Sequence, residues 1–505
     1  MPELLLGIDV GTSGVKAGLF APEGKLLGLG RSAHKVDSPH PGWVQCDPEL
    51  WWQGVLKSLG DACMQAGVAP SEVGAIGLGV LFPCIVPLDA DGRALHPAIL
   101  YCDQRSLAQV RAIERTIGRD EYQRIIGNML VPGTCAATSI AWLRDEQPET
   151  YRAASVFGFA NTFLTARLTR RLCADPTMVG LSGLVDAGDP WRWCEPLVER
   201  LGLDATRLPV VAGSAEVVGA VTASAARLTG LRTGVPVVCG AGDVPVCAVG
   251  GGALSPDTIV YIAGSTDCTA LPMPRPTADR RWANTAYVPR GTWLGIGAMS
   301  SSGVAVEWFA REFLPDAGRG ALDRMTGLAA SSPPGSNGVL FLPYLQGERT
   351  PVWDPLARGM FLGLTTSTSR ADLARAVFEG TAFALRQMVE CVKDIIGRPV
   401  REIRAVGGGT KNALWNQIKA DVLQQPLDVL EFQETGTLGA ALLAGMGAGA
   451  YASFEEAMGL ARSVGGVRTV EPNADTAPLY GELFDAYCQA YPLTRPLAHA
   501  LARLR

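Results

Sequence analysis

An apolar strand that stops on a carboxylate and returns at once as a second strand is the feature that most restricts how this chain folds. Leu6-Gly7-Ile8-Asp9-Val10-Gly11-Thr12-Ser13-Gly14 supplies the strand, the carboxylate and a turn of glycines and hydroxyls, and Val15 to Phe20 then alternates as a strand does. Pro22-Glu23-Gly24-Lys25 turns the chain again into Leu26 to Gly30. Gly11 and Gly14 let backbone N–H groups approach an anion, Thr12 and Ser13 add donors, and Asp9 is placed to hold a magnesium ion through its water shell. Such a turn suits a nucleotide's phosphates. Because a hairpin and not a helix follows the glycines, the segment is neither a Walker loop nor a Rossmann fingerprint.

At 505 residues the chain exceeds one compact core, and two domains of about 250 residues are expected. With 44 basic and 49 acidic residues and no basic run, it lacks the electrostatic footprint of a nucleic-acid or anionic-lipid binder. Twelve scattered cysteines without a CxxC pair, beside only four histidines, read as free thiols of a reducing cytosol. Leu4-Leu5-Leu6 runs straight into Asp9 without a basic leader, so the start is not a signal peptide. The longest apolar tracts, Val235 to Pro256 and Leu438 to Phe454, are rich in small and turn residues and should not span a membrane.

Strands at Leu4 to Ile8, Val73 to Leu78 and Pro236 to Cys239 alternate with helical stretches such as Pro48 to Ala66, which is an α/β layer pattern. A second unit is expected from Gly250, giving domains 1–249 and 250–505. In it Ile259 to Thr266 repeats the opening scheme, an apolar strand ending on Gly264, Ser265 and Thr266. Two such turns, one per half, imply a nucleotide held between two similar domains. Ser369-Arg370-Ala371-Asp372 reads as a capping box for a long amphipathic helix that Gly397 closes, a packing element without chemistry of its own. A third turn, Gly407-Gly408-Gly409-Thr410-Lys411-Asn412, follows a strand and precedes a helix with Trp415 and Ile418, offering bare backbone to a ligand.

Val237-Val238-Cys239-Gly240-Ala241-Gly242-Asp243 is another apolar strand ending in glycines and a carboxylate. Asp243 is a natural helix cap with Pro245 in the first turn, and it is equally suited to accept the proton of an alcohol during phosphoryl transfer.

Together these elements resemble the FGGY family of carbohydrate kinases, and within it the xylulokinases. Gly7 to Ser13, His40-Pro41-Gly42-Trp43, Tyr101-Cys102-Asp103-Gln104-Arg105, Gly242-Asp243, Gly264-Ser265-Thr266, Leu342 to Pro351, Phe378-Glu379-Gly380 and Gly407-Gly408-Gly409 match that family's motifs in order. The resemblance implies two actin-like, ribonuclease-H-type domains, a cleft between them holding ATP and sugar, and hinge closure. It implies Asp243 as the base, with Asp9 the second catalytic carboxylate and anchor of Mg²⁺ through water. It assigns phosphates to Gly11, Thr12, Ser13, Gly264, Ser265 and Thr266, the nucleotide to Gly407, Gly408, Gly409 and Asn412, and the sugar to Phe82, Trp43, Asp103, Arg105 and Asp243. A cytoplasmic enzyme, and a homodimer, go with it.

Departures fall on the sugar side. Xylulokinases usually carry Gln-Met-His-Gly where this chain has Leu81-Phe82-Pro83-Cys84, and Val244 stands where Asn usually follows the base. Losing groups that pair with substrate hydroxyls relaxes or redirects specificity. A pentulose kinase, with D-xylulose the best guess, is therefore weighed against a kinase for ribulose, another ketose or an alditol. From other classes come an actin-like ATPase and a non-catalytic sugar sensor.

Overall fold

The computed structural model describes residues 3–504. β1 (Leu5–Val10), β2 (Gly14–Phe20) and β3 (Leu26–Ala33) form an antiparallel meander, closed at its first turn by the Gly11 N–H donating to the Gly14 carbonyl at 2.9 Å. The chain then crosses through the helix Pro48–Ala66, capped by the Asp47 carboxylate at its start and by Gly67 in the left-handed conformation at its end. It returns as β4 (Ala75–Val80), parallel to β1. Every residue of β4 is buried, as a central strand covered on both faces must be. β5 (Val217–Ala220) pairs antiparallel with β6 (Pro236–Val238), while β6 and the two-residue β7 (Ala241–Gly242) both run parallel to β4.

Packing contacts group the chain into two compact units, Met1–Leu254 with Pro272–Gly295 and Glu434–Val464, and Ser255–Leu271 with Ile296–Gln433 and Gly465–Arg505. The single break expected between 249 and 250 thus falls near the end of the first segment, but two later segments return to the first unit. Glycine explains the second return. The helix Thr435–Gly447 lies so close to the first sheet that a Cβ on Gly7 would sit 1.9 Å from the Thr437 carbonyl oxygen, and one on Gly77 1.8 Å from that of Ala440. The same helix meets the helix Asp243–Gly250 where Gly439 and Gly250 each leave room for the other's backbone.

The second unit repeats the scheme. β8 (Thr258–Ile262) and β9 (Cys268–Met273) form an antiparallel hairpin, β10 (Glu402–Val406) runs parallel to β8, β11 (Leu427–Leu430) parallel to β10, and β12 (Val467–Val470) closes antiparallel to β11. The helix Arg370–Ile396 starts on the Ser369–Asp372 capping box and ends on Gly397 in the left-handed conformation, as its sequence dictates. Its Glu379 is buried, and its carboxylate accepts from Gly335 N–H (2.9 Å), Ser336 (2.7 Å), Arg375 (2.7 Å) and Tyr480 (2.7 Å). The Phe378-Glu379-Gly380 motif is therefore scaffold.

Glu348, in the long motif Leu342–Pro351, is scaffold of a costlier kind. Its Oε1 accepts the Ser300 and Arg349 N–H groups at 2.7 Å each, while its Oε2 is buried without a hydrogen-bond partner among the described residues. Burial pushes its carboxyl up to about 7. A folded pKa above the unfolded value of 4.5 stabilises in full below pH 4.5 and loses that contribution as pH rises through about 7. Glu348→Gln keeps the accepting oxygen and cannot ionise. Its melting temperature should match the wild type near pH 5 and exceed it near pH 8, by an amount equivalent to roughly 3 kcal/mol. A difference that does not grow with pH contradicts this assignment.

Candidate functional site

In the first unit the register brings two carboxylates together that lie 234 residues apart in the chain. Asp9 of β1 and Ala241 of β7 flank Gly79 of β4 from opposite sides, and Asp243 follows β7 by one residue. With strands about 4.8 Å apart, Asp9 and Ala241 are separated by about 10 Å. Both carboxylates thus stand at the carboxyl ends of parallel strands, where open α/β sheets bind their ligands. The half-buried Cys247 senses both carboxylates: its thiol is pushed up first by burial and then by the charges of Asp9 and Asp243. Asp243 is the first residue of its helix and Gly242 the cap, so the expected cap lies one residue earlier; the Asp243 carboxylate accepts the Val244 N–H at 2.8 Å.

Asp9 is half-buried at the start of the Thr435–Gly447 helix, where a Cβ on Gly436 would lie 2.6 Å from its Oδ2. Burial raises its carboxyl to about 6, against the nearby Lys16 ammonium, which lowers it. Lys16 is its cross-strand partner and bonds Glu434 at 3.0 Å. Burial disfavours the Lys16 charge, but Glu434 and Asp9 outweigh it and lift the pKa. Neither Lys16 nor Glu434 was singled out from sequence, although one lysine in an otherwise apolar strand was the available signal. At the β1–β2 turn Ser13 is exposed and Thr12 half-buried.

Beside Asp243, Leu81 and Cys84 are buried and Phe82 is 9% exposed. The Phe82 ring lies against Gly242, where a Cβ would meet three ring carbons at 2.7–2.8 Å. Asp103 and Arg105 are committed inward. Their side chains are 1% and 0% exposed, they bond each other at 2.9 Å, and Arg105 also donates to Gln45 at 2.9 Å. The Arg105 guanidinium lies 4.0 Å from the Trp43 ring centre, so the pair braces the half-buried Trp43.

The second unit brings its two glycine turns together in the same manner. Ile262 and Val406 are register partners at the ends of β8 and β10, and the Gly409 N–H donates to the Ala263 carbonyl at 3.1 Å. Gly407 admits this approach, since a Cβ there would lie 2.4 Å from the same carbonyl oxygen. Ser265 and Gly408 are exposed, and Thr266 is half-buried. Asn412 caps the helix Ala413–Leu423 through the Trp415 N–H at 3.1 Å and donates to Thr326 at 2.9 Å. Behind the turn, Asp267 accepts from Gly264 N–H at 3.1 Å and from the Tyr261 hydroxyl, and faces the buried Lys419. Sequence reading missed both.

Among the described residues no group of three His, Cys, Asp or Glu side chains is arranged to hold a metal by itself. A half-buried carboxylate raised by desolvation fits magnesium, which keeps several waters and takes one or two carboxylates plus substrate phosphates. Among the described residues no helix is long and apolar enough to cross a membrane.

The N-terminal domain of the FGGY family of carbohydrate kinases matches residues 4–250, and its C-terminal domain matches residues 259–448. The chain belongs to the FGGY family. It is 30% identical over 465 residues to a xylulose kinase of Escherichia coli K12, covering 90% of this chain and 92% of that protein. A glycerol kinase of Thermococcus gammatolerans is also 30% identical, over 90% of this chain and 91% of its own length. The crystal structure of a xylulose kinase from Rhodospirillum rubrum superposes with a TM-score of 0.87 at 29% identity, covering 98% of this chain and 100% of that one. As an FGGY kinase with the actin-like ATPase fold, the protein is a phosphotransferase with an alcohol acceptor and ATP as donor.

Proposed function

We propose that this FGGY kinase transfers the γ-phosphoryl group of ATP to a hydroxyl of a pentulose, with D-xylulose to D-xylulose 5-phosphate the first candidate. The observation that carries the reading is the pair of carboxylates, Asp9 and Asp243, on either side of β4. Asp243 takes the acceptor proton as the hydroxyl attacks, and Asp9 holds the cation through water. Magnesium, when bound, neutralises charge on the phosphate oxygens. Thr12, Ser13, Ser265 and Thr266 offer hydroxyl and backbone donors to those oxygens, while Gly407, Gly408, Gly409 and Asn412 border the nucleotide. Family relatives named xylulose kinase, matched over nearly the whole chain, support the pentulose, and free thiols at all twelve cysteines support a reducing cytosol.

Phe82 favours a second reading of the acceptor. A ring against Gly242 gives the site an apolar wall where xylulokinases usually place polar groups, which suits a ketose or alditol that turns a C–H face towards it. Trp43, braced by Arg105, is the other aromatic surface of this reading. ADP release from Mg-ATP should be measured across D-xylulose, D-ribulose, L-ribulose, L-xylulose, glycerol and common alditols. One acceptor is expected to raise turnover at least tenfold above background. No stimulation by any of them contradicts the proposed acceptor class.

A further inference from the structure

We propose that Thr177, anchored by Asp175, is a positioning residue for Asp243, its hydroxyl clamping the peptide immediately before the base. The proposal rests on the reading of Asp243 given above. β7 is two residues long, so its ladder alone does little to fix the chain at Gly242. A side chain supplies the missing restraint. The Gly242 N–H donates to Thr177 Oγ1 at 2.9 Å, and the Thr177 backbone N–H is in turn tied to the Asp175 carboxylate.

Asp175 is itself held on every side. Its Oδ2 accepts from the Thr177 N–H at 2.9 Å and the Ser214 hydroxyl at 3.0 Å, and its Oδ1 accepts from the Asn161 amide at 3.1 Å. Asn161 also donates to the Cys239 carbonyl at 3.4 Å, at the other end of the Gly240-Ala241-Gly242 segment. Asn161, Asp175 and Thr177 are 0% exposed and Ser214 is 3% exposed. The Thr177 carbonyl accepts the Thr285 hydroxyl at 2.5 Å, fixing the short helix Pro176–Val179 that carries it.

On its Cα side Gly242 meets the Phe82 ring. The peptide is thus gripped between a hydroxyl and an aromatic ring one residue before Asp243. A displacement near 1 Å at a reacting group costs about a hundredfold in rate, so a clamp here acts on turnover through the direction of the carboxylate.

Thr177→Val keeps the shape of the side chain but leaves the Gly242 N–H buried without its acceptor. With the best acceptor of the panel, it should lower kcat at least tenfold and leave the KM for acceptor and for ATP within about twofold. Thr177→Ser, which keeps the hydroxyl, should recover kcat to within threefold of wild type. A Thr177→Val enzyme with wild-type kcat per folded molecule, or equal impairment of the Val and Ser variants, overturns the proposal. If Thr177→Val does not fold, Ser214→Ala serves in its place: a kcat lowered about threefold at constant KM is expected, and an unchanged kcat overturns it. Asp243→Asn measured alongside separates the two claims. Should Asp243→Asn keep wild-type turnover, the base itself is misassigned and the clamp falls with it; should it be inactive while Thr177→Val is normal, only the clamp fails.

Discussion

Asp243→Asn is expected to lower acceptor-dependent phosphoryl transfer by about a hundredfold to ten-thousandfold, the range of a lost general base. The substitution is nearly isosteric. Its amide oxygen can still accept the Val244 N–H now bonded by the carboxylate, so the start of the Asp243–Gly250 helix survives. What disappears is the capacity to take a proton. The loss should therefore lie in kcat, with ATP binding and the melting temperature close to wild type. A variant within tenfold of the wild-type rate would place the base elsewhere.

Gly77→Ala should produce the largest loss of stability of any single methyl added to the first unit. The new Cβ would sit 1.8 Å from the Ala440 carbonyl oxygen and 2.7 Å from its carbon, and no side-chain rotation relieves a clash with backbone. The Thr435–Gly447 helix must lift off β4, opening a buried face. Overpacking of side chains costs about 1–3 kcal/mol, and a backbone collision should exceed about 4 kcal/mol. The transition carrying this unit should then melt roughly 10 °C lower, or the variant should not accumulate as folded protein. Gly60→Ala is the control. It lies exposed inside the Pro48–Ala66 helix with nothing within 4 Å of the new Cβ, and should be neutral or slightly stabilising. Equal melting of the two variants would contradict the packing assigned to the Thr435–Gly447 helix.

Local elements were legible in the sequence wherever local chemistry decided them. The Asp9 hairpin, the Pro48–Ala66 helix, the Ser369 capping box and the Gly397 stop all stand where the residue pattern placed them. Asp9 and Asp243 were recognisable as strand-ending carboxylates, but their approach depends on the parallel register of β4 with both neighbours, which no local signal carries. The Thr435–Gly447 helix belongs to an apolar tract of small residues that identified nothing beyond the absence of a membrane span. Only the backbone carbonyls that Gly7 and Gly77 admit show why it returns to the first sheet. Asp175 and Thr177 were not singled out from sequence, because the Thr177 bond to Gly242 spans 65 residues and no local signal carries it. Asp103 and Arg105, expected at the sugar, bond each other and leave almost no exposed side-chain surface.

Transfer of a phosphoryl group from ATP to a sugar hydroxyl beside Asp243 can be followed through the phosphorus atom itself. The most direct measurement follows the label of γ-³²P-ATP in the presence of Mg²⁺ and each acceptor of the panel, with Asp243→Asn in parallel. Label recovered in a sugar phosphate monoester with the wild type, and lost with the variant, is the predicted result. Label appearing only as inorganic phosphate, at a rate that no acceptor changes, would contradict it.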